Sequence, residues 1–447
     1  MAKSLQDSDI SVIADEIIKQ HRDEDIKGKT PLASVTYLLQ LVAHDIVPAT
    51  KKKHLDRRID EISPYLNLDS IYGNSEDELI RREITNKAGF FNYARDINIA
   101  YPYGFDFDRT QDAERKETAQ YLAKTPEPRN DVNVIVSQFT VLWMRLHNTL
   151  LRNRVAKDFV QAKEYVIKTF QLVCIEFALK QVCHKNVYDY YFGQVQHPAL
   201  QVDLSLGIPK FFSHASFRFG HSMVREEYFF APHRKGMRAN SVITEKIFQN
   251  HNKIPLNRFV NFETFLTRIP GHMRAKNIDT QIVLGMASID EQTAEMDSLI
   301  NIAKRNLEAS RDKGLHTGQC WHKVLAKQFK TLDFGAILTG RELIPTQIPA
   351  KYFNWLPLWL YILAEAEVRE GGTNLGMVGS VLNCEVLCAS IAGSPISVYE
   401  LGKYDYAQAA STMGEWGGYL LNVQSGLGDQ YENVMHGVYQ WIVDNQG

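Results

Sequence analysis

Between residues 134 and 156, VIVSQFTVLWMRLHNTLLRNRVA, apolar side chains recur every three or four positions, the spacing of one buried face of an α-helix. The same period runs through 158–181, 293–310 and 357–369 and predicts helices there. Strict apolar–polar alternation, the mark of a half-buried strand, is scarce. The pattern predicts a mainly α fold, one large helical unit with little β structure. Asp333-Phe334-Gly335 and Gly371-Gly372 predict breaks between elements. Residues 100–130, AYPYGFDFDRTQDAERKETAQYLAKTPEPRN, show neither period and predict a long loop leading into the 134–156 helix. Pro126 and Pro128 hold the chain before Arg129 extended. Long ordered loops in compact folds tend to carry function, which gives Arg129 weight. No internal repeat and no clean domain boundary is visible.

Composition narrows the function classes. A chain of 447 residues with 45% hydrophobic and 23% charged positions is not disordered and can bury a large core. Its 50 basic and 52 acidic residues leave a net charge of −2, which gives no electrostatic footprint for nucleic acid. No run of about 18 uncharged apolar residues exists, so no membrane span is expected. The start, MAKSLQDSDISVIADEIIKQ, shows no secretory pattern, and a cytoplasmic location is expected. Cys174, Cys183, Cys320, Cys384 and Cys388 are odd in number, sparse and free of a CxxC pair, as in a reduced protein without disulfides. Cys384 and Cys388, four apart, read as small buried apolar residues on one helix face.

Several familiar chemistries are missing. Gly28-Lys29-Thr30 looks like the end of a phosphate loop, but the position of the loop's first glycine is Asp23. No HExxH, GxSxG or GxGxxG occurs. Histidines are the remaining proton or metal handlers. His44 lies in an apolar helical stretch with Gln40 one turn before it on the same face. His221 follows Gly220, which lets a bulky group approach the backbone, and Arg218 lies one turn before it. Taken singly, each pattern fits a satisfied core histidine better than a ligand.

Taken together, five segments resemble the animal-type haem peroxidase superfamily, the peroxidase–cyclooxygenase group, most closely its bacterial branch. QLVAHDI (40–46) resembles the distal-histidine helix, and PRNDVNVIVSQFTVLWMRLHN (128–148) the catalytic-arginine segment and the helix that follows. FRFGHSMV (217–224) resembles the proximal-histidine segment, and NIAKRNLEASRDKGL (301–315) the helix whose asparagine supports that histidine. LWLYILAEAEVREGGTNLGMVGSVLNCEVLCASIAG (358–393) is similar to the branch's C-terminal helices. The match implies a haem peroxidase domain over 30–440 behind an N-terminal extension, 1–29.

The resemblance implies that His221 is the axial ligand of haem iron, with the Asn306 carbonyl accepting its imidazole N–H and Arg218 pairing with a haem propionate. It implies His44 as the distal acid–base group, Arg129 as the charge stabiliser and Gln40 as a partner of the distal water network. The implied activity reduces hydrogen peroxide through a ferryl intermediate and oxidises a small organic donor, with secondary metabolism as a possible setting. The implied alternatives are an oxygenase or dioxygenase acting on a lipid or metabolite, and a haem-binding protein of low turnover. A calcium site follows from the same resemblance, with Asp45, Ser63, Tyr65 (backbone carbonyl), Asn67 and Asp69 as oxygen ligands. His147 and Asn148 belong to a family motif that does not touch the haem and read as structural.

Departures from the pattern matter too. Ala43 and Val132 occupy the positions where mammalian members carry ester-forming carboxylates, which implies haem b held without covalent bonds. Asp131 is one position off and misdirected for an ester. Position 218 is arginine where cyclooxygenases and fatty-acid dioxygenases carry a radical tyrosine, which counts against a lipid dioxygenase.

Overall fold

Asn133 opens the central helix: its side-chain oxygen accepts from the backbone N–H of Ile135 and Val136, satisfying two donors that the first turn leaves unpaired. The helix then runs Val134–Arg152 and is buried on every face to Leu150, so the 134–156 periodicity marks a core helix and not a surface one. The computed structural model describes residues 5–19, 29–49, 62–73, 75–96, 101–111, 121–193, 200–230, 240–243, 253–268, 273–286, 301–343, 348–400 and 402–445. In chain order, its main helices are α1 (Asp7–Lys19), α2 (Ala33–Ile46), α3 (Asp69–Tyr72), α4 (Val134–Arg152), α5 (Phe159–Val173), α6 (Ile302–Asp312), α7 (Gly318–Gln328), α8 (Leu358–Glu370), α9 (Met377–Ala392), α10 (Gly414–Ser425) and α11 (Val434–Asn445). None is long and apolar enough to cross a membrane among the described residues.

The predicted helices appear with shifted ends. The 158–181 stretch is α5 followed by a π-helical turn, Cys174–Leu179. The 357–369 stretch is α8, closed by Gly371 and Gly372 at φ +60° and +75°, conformations that cost a side-chain-bearing residue more. The 293–310 stretch is α6 from Ile302 onward, and 293–300 lie outside the described residues. Cys384 and Cys388 are both buried on α9, and all five cysteines are free.

The 100–130 segment departs from expectation. Within it lie β2 (Phe105–Phe107), paired with β1 (Tyr93–Arg95), and the hairpin of β3 (Arg109–Gln111) with β4 (Tyr121–Ala123). Strands of three residues are too short for alternation to register. What seats β2 is tertiary: the buried Arg145 guanidinium of α4 lies 3.8 Å from the Phe105 ring centroid. Residues 112–120 lie outside the described residues. The other described strands pair as β5 (Glu227–Phe230) with β6 (Asn240–Ile243) and β7 (Tyr399–Glu400) with β8 (Lys403–Tyr404), all antiparallel.

Two packing relations build the site. Helix α2 packs against α4 on one side and against a 3-10 turn, Ser216–His221, on another. Helix α8 backs the same turn, where the fully buried Trp359 donates from Nε1 to the Arg218 carbonyl at 3.2 Å. Helix α1 buries Ile10, Ile13 and Ile17 in the same core and packs on α6, where Asp7 pairs with Arg311. Residues 5–19 of the expected extension therefore seal onto the helix that carries Asn306.

Candidate active site

His44 and Gln40 stand one turn apart on α2, and a single strap, residues 127–133, holds them. The strap forms a 3-10 turn, Pro128–Asp131, between α2 and the start of α4. Arg129 donates from Nη2 to the carbonyls of His44 and Val47, both at 2.9 Å, and to Glu127 Oε2 at 3.1 Å. A guanidinium against the last carbonyls of α2 caps that helix and complements its negative end. The Arg129 Nε is buried without a hydrogen-bond partner among the described residues. Asn130, fully buried, meets His44 Nδ1 with its Oδ1 at 3.0 Å and donates from Nδ2 to the Ser70 carbonyl at 3.1 Å. Asn133 donates from Nδ2 to Gln40 Oε1 at 3.0 Å. Asp131 is held by Arg109, which donates to both its oxygens at 2.7 and 2.8 Å.

On the opposite side, His221 ends the 3-10 turn and is half-exposed between buried Phe219 and Ser222. A Cβ placed on Gly220, the residue before His221, would meet nothing within 4 Å among the described residues. Asn306, fully buried on α6, brings its amide to His221, as the sequence leads one to expect, but the amide is turned the other way. Arg218 Nη1 donates to Asn306 Oδ1 at 3.0 Å, and an arginine can only donate. Asn306 Nδ2 therefore faces His221 Nδ1 at 2.9 Å and donates to it. The expected carbonyl-to-imidazole bond is reversed because Arg218, expected on a propionate, holds the Asn306 carbonyl and the Ser213 carbonyl instead.

The five expected calcium ligands gather around residues 63–70. Ser63 donates from Oγ to Asp69 Oδ2 at 2.6 Å and lies 3.4 Å from the Tyr65 carbonyl and from Asn67 Nδ2. Asp45, next to His44, accepts from Leu68 N–H at 2.8 Å and Ser70 N–H at 2.9 Å. Burial, then the charge of Asp69, pushes the Asp45 carboxyl up to about 7. That repulsion is what a divalent cation among these oxygens would relieve. Lys163, pushed down by burial, also feels both carboxylates. Among the described residues no group of three or more His, Cys, Asp or Glu side chains is arranged to hold a metal, so the loop's other donors are hydroxyl, amide and carbonyl oxygens.

His147 lies elsewhere, in an aromatic knot. Its Nε2 meets the Gly89 carbonyl and its Nδ1 meets Tyr72 OH, both at 3.0 Å. Asn148 bonds both backbone groups of Phe91 at 2.8 Å. These contacts tie α3 and residues 86–91 to α4, a structural duty. Sequence reasoning missed Asn130, Glu127, Asn133 and Ser70. The one available signal is the density of polar residues around Arg129 immediately before an apolar helix, PEPRNDVN.

Comparison with known proteins matches residues 20–374 to the animal haem peroxidase family model. Among solved structures, peroxidase A of Dictyostelium discoideum is similar, with a TM-score of 0.63 at 16% identity over 94% of this chain and 90% of that one. The fatty acid alpha-dioxygenase of Arabidopsis thaliana aligns with a TM-score of 0.59 at 11% identity, over 93% of this chain and 74% of that one. The Oryza sativa enzyme of the same name gives 0.59 at 11% identity, over 93% and 77%. No curated protein sequence is similar enough to match. At these identities the structural likeness speaks for the fold.

Proposed function

From the premise that the chain belongs to the animal haem peroxidase family, we propose that it is a peroxidase: it reduces hydrogen peroxide and oxidises a small organic donor. The observation that carries this reading is the strap that brings Arg129 and Asn130 onto His44 while Asn133 holds Gln40. Haem carriage alone has no use for an imidazole oriented by a buried amide on a helix end that a guanidinium caps. The residues fit haem: a Cβ added at Gly220, next to His221, would meet nothing within 4 Å among the described residues, and Asn306 and Arg218 stand behind the His221 Nδ1. With Asp131 locked to Arg109 and no carboxylate at 43 or 132, the group is held by His221 and packing, without ester bonds.

Bound haem supplies the redox chemistry, accepting the oxidising equivalents of the peroxide and passing them to a donor. The chain manages the protons. With haem held by His221, His44 would take a proton from hydrogen peroxide and return it to the departing oxygen, which would leave as water. Arg129 offsets negative charge on that oxygen as the O–O bond lengthens. Asp45, Ser63, Asn67, Asp69 and the Tyr65 carbonyl would hold calcium, which through Asp45 would steady the end of α2 that carries His44.

A second reading, fatty-acid oxygenation, rests on the fold shared with two alpha-dioxygenases and is disfavoured by Arg218, which stands where the radical tyrosine is expected. Stopped-flow absorption of the haem-loaded protein separates the readings. Hydrogen peroxide is expected to change the Soret band, and His44→Ala to slow that change by roughly 100-fold or more with haem retained. An unaltered rate in His44→Ala removes the distal assignment. Oxygen uptake with palmitate, without any response to peroxide, favours the dioxygenase.

A further inference from the structure

We propose that Asn130 is the positioning residue that fixes His44 in its Nδ1–H tautomer and so reserves the lone pair of Nε2 for the peroxide proton. The inference rests on the peroxidase reading for its purpose, but its structural half stands alone.

An imidazole with one proton is a donor at one nitrogen and an acceptor at the other, and the partner of the first decides which. The distance from His44 Nδ1 to Asn130 Oδ1, 3.0 Å, does not by itself assign the proton, because an amide can be turned over. The other end of the Asn130 amide does. It lies 3.1 Å from the Ser70 carbonyl, which can only accept. Nδ2 must therefore face Ser70, Oδ1 must face the ring, and His44 Nδ1 must carry the proton.

The Ser70 carbonyl is itself held in place. The Ser70 N–H donates to Asp45 Oδ1 at 2.9 Å, and Leu68 N–H donates to Asp45 Oδ2 at 2.8 Å. Asp45 is the residue after His44 on α2. The bonds thus run from His44 through Asn130 and Ser70 to Asp45, and the loop closes through one peptide of α2. Every member of the loop is buried, so water does not compete for the Asn130 amide. The ring cannot invert its tautomer without leaving the Asn130 carbonyl oxygen opposite a lone pair in the interior.

The sequence neighbours divide the work. Arg129 holds the end of α2 by its carbonyls, and Asn130 sets the ring that this helix end carries. This gives the buried asparagine a place in a strap that ion pairs to Asp131 and Glu127 and the Asn133–Gln40 bond also fasten.

The test reads the tautomer before it reads any rate. Protein labelled with 15N in its histidine rings is examined by NMR without haem, with His44→Gln assigning the signal. The expected His44 spectrum has the proton on Nδ1 and the lone pair on Nε2. Asn130→Leu, which removes the acceptor, is expected to shift the ring toward the Nε2–H form; Asn130→Asp, which keeps an oxygen facing Nδ1, is expected to preserve the wild-type pattern. In haem-loaded protein, Asn130→Leu is expected to lower the second-order rate constant for hydrogen peroxide by roughly 10- to 100-fold, and Asn130→Asp to recover most of it. A wild-type ring in the Nε2–H form overturns the proposal. An unchanged rate in Asn130→Leu, with its tautomer changed, overturns the catalytic purpose. A wild-type protein with the expected tautomer but no reaction with peroxide overturns the peroxidase reading and leaves the assigned tautomer standing.

Discussion

Two asparagine amides of this chain meet two histidines, and their directions are opposite. Asn130 presents oxygen to His44, because its nitrogen is committed to the Ser70 carbonyl. Asn306 presents nitrogen to His221, because its oxygen is committed to Arg218. A neutral His221 in that state holds its proton on Nε2, the nitrogen an axial ligand must free. If His221 holds haem iron through Nε2, as proposed, Arg218 would have to release Asn306 and the amide reverse, so that the Asn306 carbonyl accepts from Nδ1–H. The propionate that the family resemblance implies for Arg218 is the acceptor that would draw it away. Asn306→Asp accepts from the arginine and the imidazole at once, so no reversal is needed. It is expected to retain haem with a more negative reduction potential than the wild type, since a carboxylate makes the imidazole more electron-rich. Asn306→Leu is expected to weaken haem affinity roughly tenfold or more. Haem titration and potentiometry check both; equal affinities and potentials across the three proteins would remove Asn306 from the proximal arrangement.

At the scale of elements, the 63–70 loop, the 127–133 strap and the end of α2 form one mechanical unit. Asp45 bonds the loop, Asn130 bonds loop and helix, and Arg129 bonds the helix end. Calcium in the loop is therefore expected to stabilise more than the loop. At about 100 times its Kd, a ligand specific to the folded state adds about 2.7 kcal/mol, or several degrees in Tm for a chain of this size. Calcium added to chelator-treated protein is expected to raise Tm by that much and Asp69→Ala to abolish the rise; magnesium at equal concentration is expected to do less, because it resists dehydration. A Tm indifferent to calcium would leave the loop as a hydrogen-bonded turn. Elements of this unit differ in how legible they are from sequence. Helix α4 is written in a long period, and Gln40 and His44 fall on one face by spacing alone. The 63–69 segment draws notice through its resemblance to the family's calcium loop, with oxygen donors at alternate positions from Ser63 to Asp69. Strands β2, β3 and β4 do not show, because three residues carry no period and their seat is Arg145 from a distant helix. Asn130 is silent for a similar reason: its partners, at positions 44 and 70, are joined to it only by folding. The direction of the Asn306 amide is set by a competitor, Arg218, whose choice of partner no spacing encodes.

Among the described residues one large core reaches from α1 to α11, and most of the polar groups buried in it are hydrogen-bonded. His147 is the case with the clearest consequence for global stability. It is fully buried on α4, gives its Nε2–H to the Gly89 carbonyl and accepts at Nδ1 from Tyr72 OH. A second proton would have to displace that tyrosine hydroxyl in an apolar knot of Tyr72, Phe91 and Phe159. Burial accordingly pushes His147 down to about 3. In the unfolded chain the same ring titrates near its ordinary value of about 6.5. Between those values the unfolded state binds the extra proton and the folded state does not. The stabilisation is therefore complete above about 6.5 and is lost as pH falls toward about 3. One proton bound only in the unfolded state corresponds to about 1.4 kcal/mol per pH unit, several kcal/mol over the whole window. Urea unfolding at a series of pH values is expected to show this slope in the wild type on top of that from paired carboxylates. In His147→Gln, which is expected to be less stable at pH 7 through its lost packing and Tyr72 bond, the slope should be smaller by close to that one-proton amount. Parallel curves for the two proteins would mean that acid does not unfold the molecule through this imidazole, and that the knot admits a charged ring.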